Sequence, residues 1–239
     1  MQLFFNEQIV GPVFDLDQEE SKHLIKVLRK NKGDQVAFTD GKGNLYSCTI
    51  EHADLKRTKL RIDKTQYVPE EDYRIHLAIS PTKNLDRLEW MLEKITEIGV
   101  HQITLIQTKH GERPHLKLDR LEKKIISACK QSVKTRRPIL NPLIPFQEFL
   151  KLHNNQLSQK FIAYVDQDHD SHLFEAASPG GNCIIMIGPE GDFSKDEIKT
   201  ALSHQYQPVS LGKSRLRTET AGLAAVHILQ LINNLKRHV

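Results

Sequence analysis

With 239 residues, 38% of them hydrophobic, the chain is long enough for one large core or two modest ones. It has no run of eighteen apolar residues, and Met1-Gln2-Leu3-Phe4-Phe5-Asn6-Glu7 lacks a charged region followed by an apolar one, so the expectation is a cytoplasmic protein without membrane span or leader. The net charge of +4, from 34 basic and 30 acidic residues, is too mild to imply a nucleic-acid partner by itself; Cys48, Cys129 and Cys183, odd in number and far apart, give neither a disulfide framework nor a thiolate zinc site.

Residues 18–30 read as a helix. After it, Gln35-Val36-Ala37-Phe38 and Leu45-Tyr46-Ser47-Cys48-Thr49-Ile50 alternate about the turn Asp40-Gly41-Lys42-Gly43-Asn44, the pattern of a hairpin. Lys59-Leu60-Arg61-Ile62 offers another strand, and together these suggest a small β-barrel over residues 1–68. The chain turns polar and acidic around Pro69, the composition of an interdomain connection, so a second domain is placed at 73–239.

That domain alternates strand and helix. Ile75-His76-Leu77-Ala78-Ile79 precedes a helix with Leu85, Leu88, Leu92, Ile95 and Ile98 at helical spacing up to Gly99. Strands follow at Ile103–Ile106, Phe161–Val165 and Cys183–Ile187, with a helix at 118–133. The expectation is an α/β fold with a mainly parallel sheet.

Ligands of such sheets bind beyond the carboxyl ends of strands. Two strand-to-helix junctions there are rich in glycine: Ile187-Gly188-Pro189-Glu190-Gly191-Asp192-Phe193, before a capping box of Ser194 and Glu197, and Leu211-Gly212-Lys213-Ser214-Arg215-Leu216-Arg217-Thr218-Glu219-Thr220-Ala221-Gly222, before the final helix. Their glycines admit positive φ and close ligand approach. A P-loop would need glycine five residues before Gly212, where Gln207 stands, and no Gly-x-Gly-x-x-Gly occurs, so triphosphatase and simple dinucleotide readings fail.

Together these two motifs, at this separation, resemble those of the bacterial 16S rRNA uracil-N3 methyltransferase family, within the knotted SPOUT methyltransferases. His23-Leu24-Ile25-Lys26-Val27-Leu28-Arg29 and Lys94-Ile95-Thr96-Glu97-Ile98-Gly99-Val100 extend the resemblance over nearly the whole chain. Asp192 stands where the family usually has glycine, a change that aspartate's tolerance of turn conformations should absorb. The resemblance implies a C-terminal trefoil knot, a PUA-like N-terminal domain, and a homodimer with its active site between subunits. It also implies S-adenosylmethionine held by Ile187, Gly188, Gly191, Leu211, Gly212, Leu216 and Ala221, and methylation of a uridine N3 in 16S rRNA or the small ribosomal subunit, with no metal needed.

Within that reading Arg217 is the expected stabiliser of charge on the uracil oxygens, with Glu190, Glu219 and Thr220 orienting it or helping to remove the N3 proton. An ion pair of Arg217 with Glu190 or Glu219 is the competing account. Lys22, Lys26 and Arg29 share a helix face opposite Leu24, Val27 and Leu28 and are expected to contact RNA phosphates. Lys83, Arg87, Lys94 and Arg113 are further RNA-binding candidates; for Lys94, an ion pair with Glu97 competes. Lys56, Arg57, Lys59 and Arg61 could extend the basic track, whereas Lys130, Lys134, Arg136 and Arg137 sit at a helix end that favours cations anyway. Asp166-Gln167-Asp168-His169-Asp170-Ser171-His172 fails the calcium-loop pattern and reads as a turn. Two alternatives stay open: a related knotted enzyme acting on tRNA or 23S rRNA, and a non-catalytic RNA-binding assembly protein.

Overall fold

The computed structural model describes residues 3–112, 116–154, 157–164 and 171–235. The chain forms two compact units, Met1–Glu70 with Cys129–Arg137, and Glu71–Ala128 with Pro138–Val239.

In the first unit, β1 (Leu3–Phe5), β2 (Val13–Asp15), β3 (Gln35–Thr39), β4 (Asn44–His52) and β5 (Lys59–Tyr67) form one sheet, ordered β1-β3-β4-β5-β2. Only the β1–β3 pair is parallel. Phe4, Phe14, Leu24, Phe38, Cys48, Ile50 and Leu60 fill its concave face, with Phe4 stacked on Phe38 at 5.1 Å and Phe14 edge-on to it at 5.4 Å. β1 and β2 remain edges, so the expected barrel is a curled half-barrel. The hairpin turn is built as its residues dictate: Asp40 accepts from the amides of Lys42 (2.8 Å) and Asn44 (3.2 Å), while Gly41 and Gly43 take φ of 73° and 103°.

The helix expected at 18–30 is α1 (Gln18–Lys22) followed by a π turn, His23–Val27, in which the amide of Leu28 reaches back five residues to the carbonyl of His23 (3.1 Å). A π turn holds more residues than an α turn, and this carries Val27 out of the packed face to 67% exposure. Lys22, Lys26 and Arg29 are all exposed, Arg29 in the left-handed region at φ 56°. Three cations of the basic cluster around the C-terminal end of α3 (Leu118–Ser132) are held by partners within this unit. Lys130 donates to Glu20 (2.7 Å), Arg137 pairs with Glu7 (3.2 Å), and Arg136 donates to the carbonyls of Lys42 (2.7 Å) and Val68 (2.8 Å). Arg57 and Arg61 are likewise paired, with Asp15 and with Glu51 and Asp63.

The second unit is a wholly parallel six-stranded sheet. Its elements are β6 (Tyr73–Ile79), α2 (Leu85–Ile98), β7 (Gln102–Gln107), β8 (Ile139–Pro145), α4 (Phe146–Leu152), β9 (Gln159–Ala163), α5 (Leu173–Ala176), β10 (Gly181–Ile187), α6 (Lys195–Ser203), β11 (Gln207–Val209) and α7 (Thr218–Leu235), with strand order β11-β9-β10-β6-β7-β8. Sequence periodicity missed β8 and β11, which carry Pro142, Pro145 and Pro208; both are edge strands, where a missing amide is tolerated. Ile79, Ile187, Ala163 and Val209 lie in one row, so the loops after β6, β9, β10 and β11 leave the sheet from the same end.

One sheet face is covered by Phe146, Phe149, Leu150, Phe193, Ala201 and Tyr206, packed on Ala78, Ile106, Ile162, Ile184 and Met186. Elsewhere α7 packs on α2, β6 and β10. Gly222 permits that approach: a Cβ there would lie 2.8 Å from Met91 Sδ and 3.0 Å from Ile79 Cδ1. Midway along β6, buried His76 meets Thr104 Oγ1 at 2.7 Å, and that hydroxyl accepts from Asn141 at 2.8 Å. The rings of Phe149 and His153 flank the imidazole, whose pKa is pushed down to about 3 by burial and by neighbouring His153. The three thiols are free and buried, and burial lifts Cys48 to about 12 and Cys129 and Cys183 to about 11, which suits inert core cysteines.

Candidate active site

The row of strand ends sets the positions of both glycine-containing loops. β10 ends at Ile187, whose carbonyl accepts from Ser80 (3.0 Å) at the end of β6, and the chain then turns tightly, the amide of Asp192 donating to the carbonyl of Pro189 (2.9 Å). Left-handed backbone in this loop falls on Asp192, at φ 62°, rather than on Gly188 or Gly191, so aspartate fills the position as expected. Gly188 is needed for packing: a Cβ there would come within 3.1 Å of the Phe193 ring. Ser194 and Glu197 make the anticipated capping box at the start of α6. Glu197 also accepts from the amide of Lys109 (2.8 Å), and His110 Nδ1 lies 3.2 and 3.1 Å from the carbonyls of Gly191 and Asp192. These two residues after β7 tie down the first loop, and no sequence motif pointed to them.

The second loop leaves β11 through Ser210 and turns at Gly212, which has φ 121° and nothing within 4 Å of a Cβ. Its amide donates to Ser210 Oγ (3.0 Å). Lys213, Ser214, Arg215 and Arg217 are exposed, Leu216 and Ala221 half-buried, and the carbonyl of Arg217 accepts from Ala221 to open α7. Glu219, in the first turn where the helix dipole favours an anion, is only 5% exposed.

Arg87 on α2 joins the two loops. Its guanidinium lies 3.7 Å from Glu190 Oε1 of the first loop and 3.7 Å from Glu219 Oε1 of the second. A carboxylate as buried as Glu219 requires such a partner. Among the described residues neither carboxylate is within ion-pair distance of Arg217; the ion pair weighed against its catalytic role is instead made by Arg87. Arg87, expected on the RNA side, is in this structure a clasp between loops.

A cleft of about 620 Å³ opens beside the clasp, lined by Asp86, Arg87, Trp90, Arg215, Leu216, Arg217, Glu219 and Thr220. A neighbouring cleft of about 560 Å³ shares Asp86 and Arg87 and adds Lys83, Leu85, Arg120 and Glu190. The structure thus gathers Arg217, Glu219, Thr220 and Leu216 in one cleft, with Glu190 joined through Arg87. It holds Lys83 against Glu112 (2.8 Å), and Lys94 against both Glu93 and Glu97 (2.9 Å each), the ion-pair alternative for Lys94. Hydrogen bonds to those carboxylates raise both lysine pKa values. Ile187, Gly188, Gly191, Leu211 and Gly212 lie on the two loops but do not line either cleft. Arg113 and the segment 165–170 lie outside the described residues. Among the described residues there is no group of three metal-ligating side chains, and no helix is long and apolar enough to cross a membrane. Trp90 and Arg215 escaped the sequence reading, Trp90 because it interrupts an amphipathic helix and Arg215 because it stands amid other cations.

A family model described as an RNA methyltransferase domain matches residues 69–230, most of the chain and both loops. The chain belongs to this RNA methyltransferase family. A second model, an RNA methyltransferase PUA domain, matches residues 16–63, within the half-barrel unit. A Porphyromonas gingivalis protein described as a probable rRNA-methyltransferase superimposes with a TM-score of 0.93 at 38% identity, over 99% of this chain and 100% of that one. Ribosomal RNA small subunit methyltransferase E from Neisseria gonorrhoeae, bound to S-adenosyl methionine, gives 0.86 at 28%, covering 98% of each. The Bacillus subtilis protein of the same description is 26% identical over 95% of this chain and 93% of its own. For an RNA methyltransferase the arrangement is chemically apt: two backbone loops at the strand ends, and beside them a cleft where arginine donors face the solvent.

Proposed function

We propose that this protein transfers the methyl group of S-adenosylmethionine to N3 of a uridine in 16S rRNA, on the small ribosomal subunit and in the cytoplasm. The observation that carries the reading is the convergence of loops 187–194 and 210–217 at one end of the parallel sheet, in a chain aligned over nearly its whole length with small-subunit rRNA methyltransferases. The second loop suits the cofactor: the open space beside Gly212 leaves its backbone approachable, and Leu216 and Ala221 offer apolar cover. The bound cofactor supplies a methyl group on a positively charged sulfur. In this reading the knotted loops are the cradle, formed by Ile187, Gly188, Gly191, Leu211, Gly212, Leu216 and Ala221.

The chain's own residues then align the base and manage its proton. Arg217 stabilises the negative charge that develops on the uracil oxygens. Glu219 is buried against Arg87, so it positions; Glu190, on the neighbouring cleft with a side chain 57% exposed, is the freer of the two carboxylates and in this reading helps remove the N3 proton, and Thr220 helps orient the base. The exposed Lys22, Lys26 and Arg29 bind RNA phosphates. Lys83, Lys94 and Arg113 keep secondary places in that reading, while Arg87 serves the loops. A homodimer fits α7, whose outward side carries Ala224, Ile228, Leu231 and Leu235, none of them fully buried; sedimentation would test it.

The deciding experiment is mass spectrometry of ribosomal and transfer RNA from a deletion strain, with methylation of its small subunits by purified protein. Loss of the methyl group from 23S rRNA or tRNA would move the target, and failure to bind S-adenosylmethionine by calorimetry would favour a non-catalytic assembly protein.

The two loop glycines should respond differently. Gly212→Val strains exposed backbone without a clash, so cofactor affinity should fall at least tenfold with only a modest fall in melting temperature; Gly188→Val drives into Phe193 and should lower both steeply. Normal cofactor affinity in a folded Gly212→Val protein would remove the second loop from the site.

Replacing Lys22, Lys26 and Arg29 together by alanine should weaken RNA binding and flatten its log–log salt dependence by roughly 2 units, at about 0.7–0.9 per phosphate contact. Cofactor affinity should stay the same. An unaltered salt slope would make these three a merely solvated face.

A further inference from the structure

We propose that Trp90 is the platform on which a nucleobase of the RNA substrate stacks. The proposal rests on the function just given and adds the element that would grip the base. The other large apolar side chains on the middle of α2, Leu88, Met91, Leu92 and Ile95, are buried, whereas the Trp90 indole is 43% exposed. It opens into the cleft lined by Arg215, Leu216, Arg217 and Thr220. Leaving a large aromatic surface in water forgoes hydrophobic stabilisation, so its place beside a cleft calls for an occupant.

Charge identifies the occupant. Of the two carboxylates lining the cleft, Glu219 is matched by Arg87 and Asp86 lies 3.7 Å from Arg120. Arg215 and Arg217 make no ion pair among the described residues, so the wall beside the indole keeps net positive charge. An aromatic face flanked by guanidinium groups matches an unstacked base with its phosphates: the π face is offered to the base, and the cations to the anionic backbone. The cleft is also where Arg217 must meet the reacting uracil, which makes the target base or its immediate neighbour the stacking partner. A second copy of the chain, docked on the apolar face of α7 that starts one turn beyond Thr220 at Ala224, is the competing occupant, but the unmatched charge of Arg215 and Arg217 on this wall favours an anionic partner over a copy of the same cationic surface.

Trp90 is the only tryptophan in the chain, so intrinsic fluorescence reports on this site alone. The full-length protein should be titrated with a single-stranded RNA pentamer carrying a central uridine, and with the same pentamer lacking that base. Quenching by the first and not by the second, at matched occupancy, is the expected result. Trp90→Ala should weaken pentamer binding roughly tenfold or more, leave the salt slope and cofactor affinity unchanged, and raise KM for small subunits, with Trp90→Phe restoring most of the loss. Failure of the pentamer to bind, equal quenching by both pentamers, or an indole shielded from acrylamide without RNA together with loss of dimer in Trp90→Ala would overturn the proposal. If Trp90→Ala does not fold, the wild-type titrations and Trp90→Phe decide it. Wild-type protein that methylates small subunits, with Trp90→Ala unchanged in KM, rejects the platform alone; wild-type protein that methylates no RNA rejects the parent reading.

Discussion

Replacing Arg217 by alanine is expected to slow methyl transfer about a hundredfold while leaving fold and cofactor affinity nearly intact. Arg217 is exposed at the mouth of the cleft and its carbonyl already accepts the first bond of α7, so backbone geometry fixes where the side chain starts. Its planar donors suit two oxygens of a uracil that gains negative charge as N3 loses its proton. Removing one such donor costs on the order of 3 kcal/mol in the transition state. Glu190 and Glu219, the two carboxylates weighed as its partners, are held by Arg87 instead, so Arg217→Ala strands no buried charge. Arg87→Ala should behave in the opposite way: Glu219 loses its partner, and both melting temperature and cofactor affinity should suffer. Single-turnover methylation of small subunits, cofactor titration and thermal melting on both variants separate these roles. Near-normal turnover in Arg217→Ala, or a rate loss matched by lost folding or cofactor binding, would reject the catalytic assignment.

What the sequence could reveal followed from how local each determinant is. The capping box, the hairpin turn at Asp40 and the helix ending at Gly99 are set by residues within a few positions of each other, and all are found. Asp192 behaves likewise, because its left-handed backbone depends on the side chain itself. The edge strands β8 and β11 were hidden because proline is a signal against strands, and only the sheet's final order makes them edges. Val27 was misplaced because a π turn leaves no mark in a 3.6-residue period. At the site, the loops were legible as motifs, but the partner of Glu219 was not: Arg87 stands more than a hundred residues away, on a helix whose own periodicity says only that one face is buried. A separation of some eighty residues likewise hid His110 beneath the first loop. Contacts between chain segments brought together by sheet order have no local signature, and the clasp is one of these.

Stability should fall steeply in mild acid, and His76 should be a principal cause. Above about pH 7.5 the imidazole is neutral in both folded and unfolded chains and contributes almost no pH dependence. Below about pH 6.5, the unfolded chain takes up a proton that the native site, with its pKa near 3, refuses. Each pH unit therefore removes about 1.4 kcal/mol, so the step from pH 6.5 to pH 5 costs about 2 kcal/mol and the loss reaches on the order of 5 kcal/mol by pH 3. The refusal has a structural origin: the ring lies between Phe149 and His153, and no carboxylate among the described residues accepts from it, only the Thr104 hydroxyl being in reach. His76→Gln keeps a group able to bond Thr104 but cannot titrate. Urea unfolding of both proteins at pH 7, 6, 5.5 and 5 should give a variant that is less stable at pH 7 yet loses less on acidification, the two curves converging by about 1.4 kcal/mol per pH unit below pH 6.5. Parallel curves would show that acid sensitivity resides in other groups and that burial of His76 does not control it.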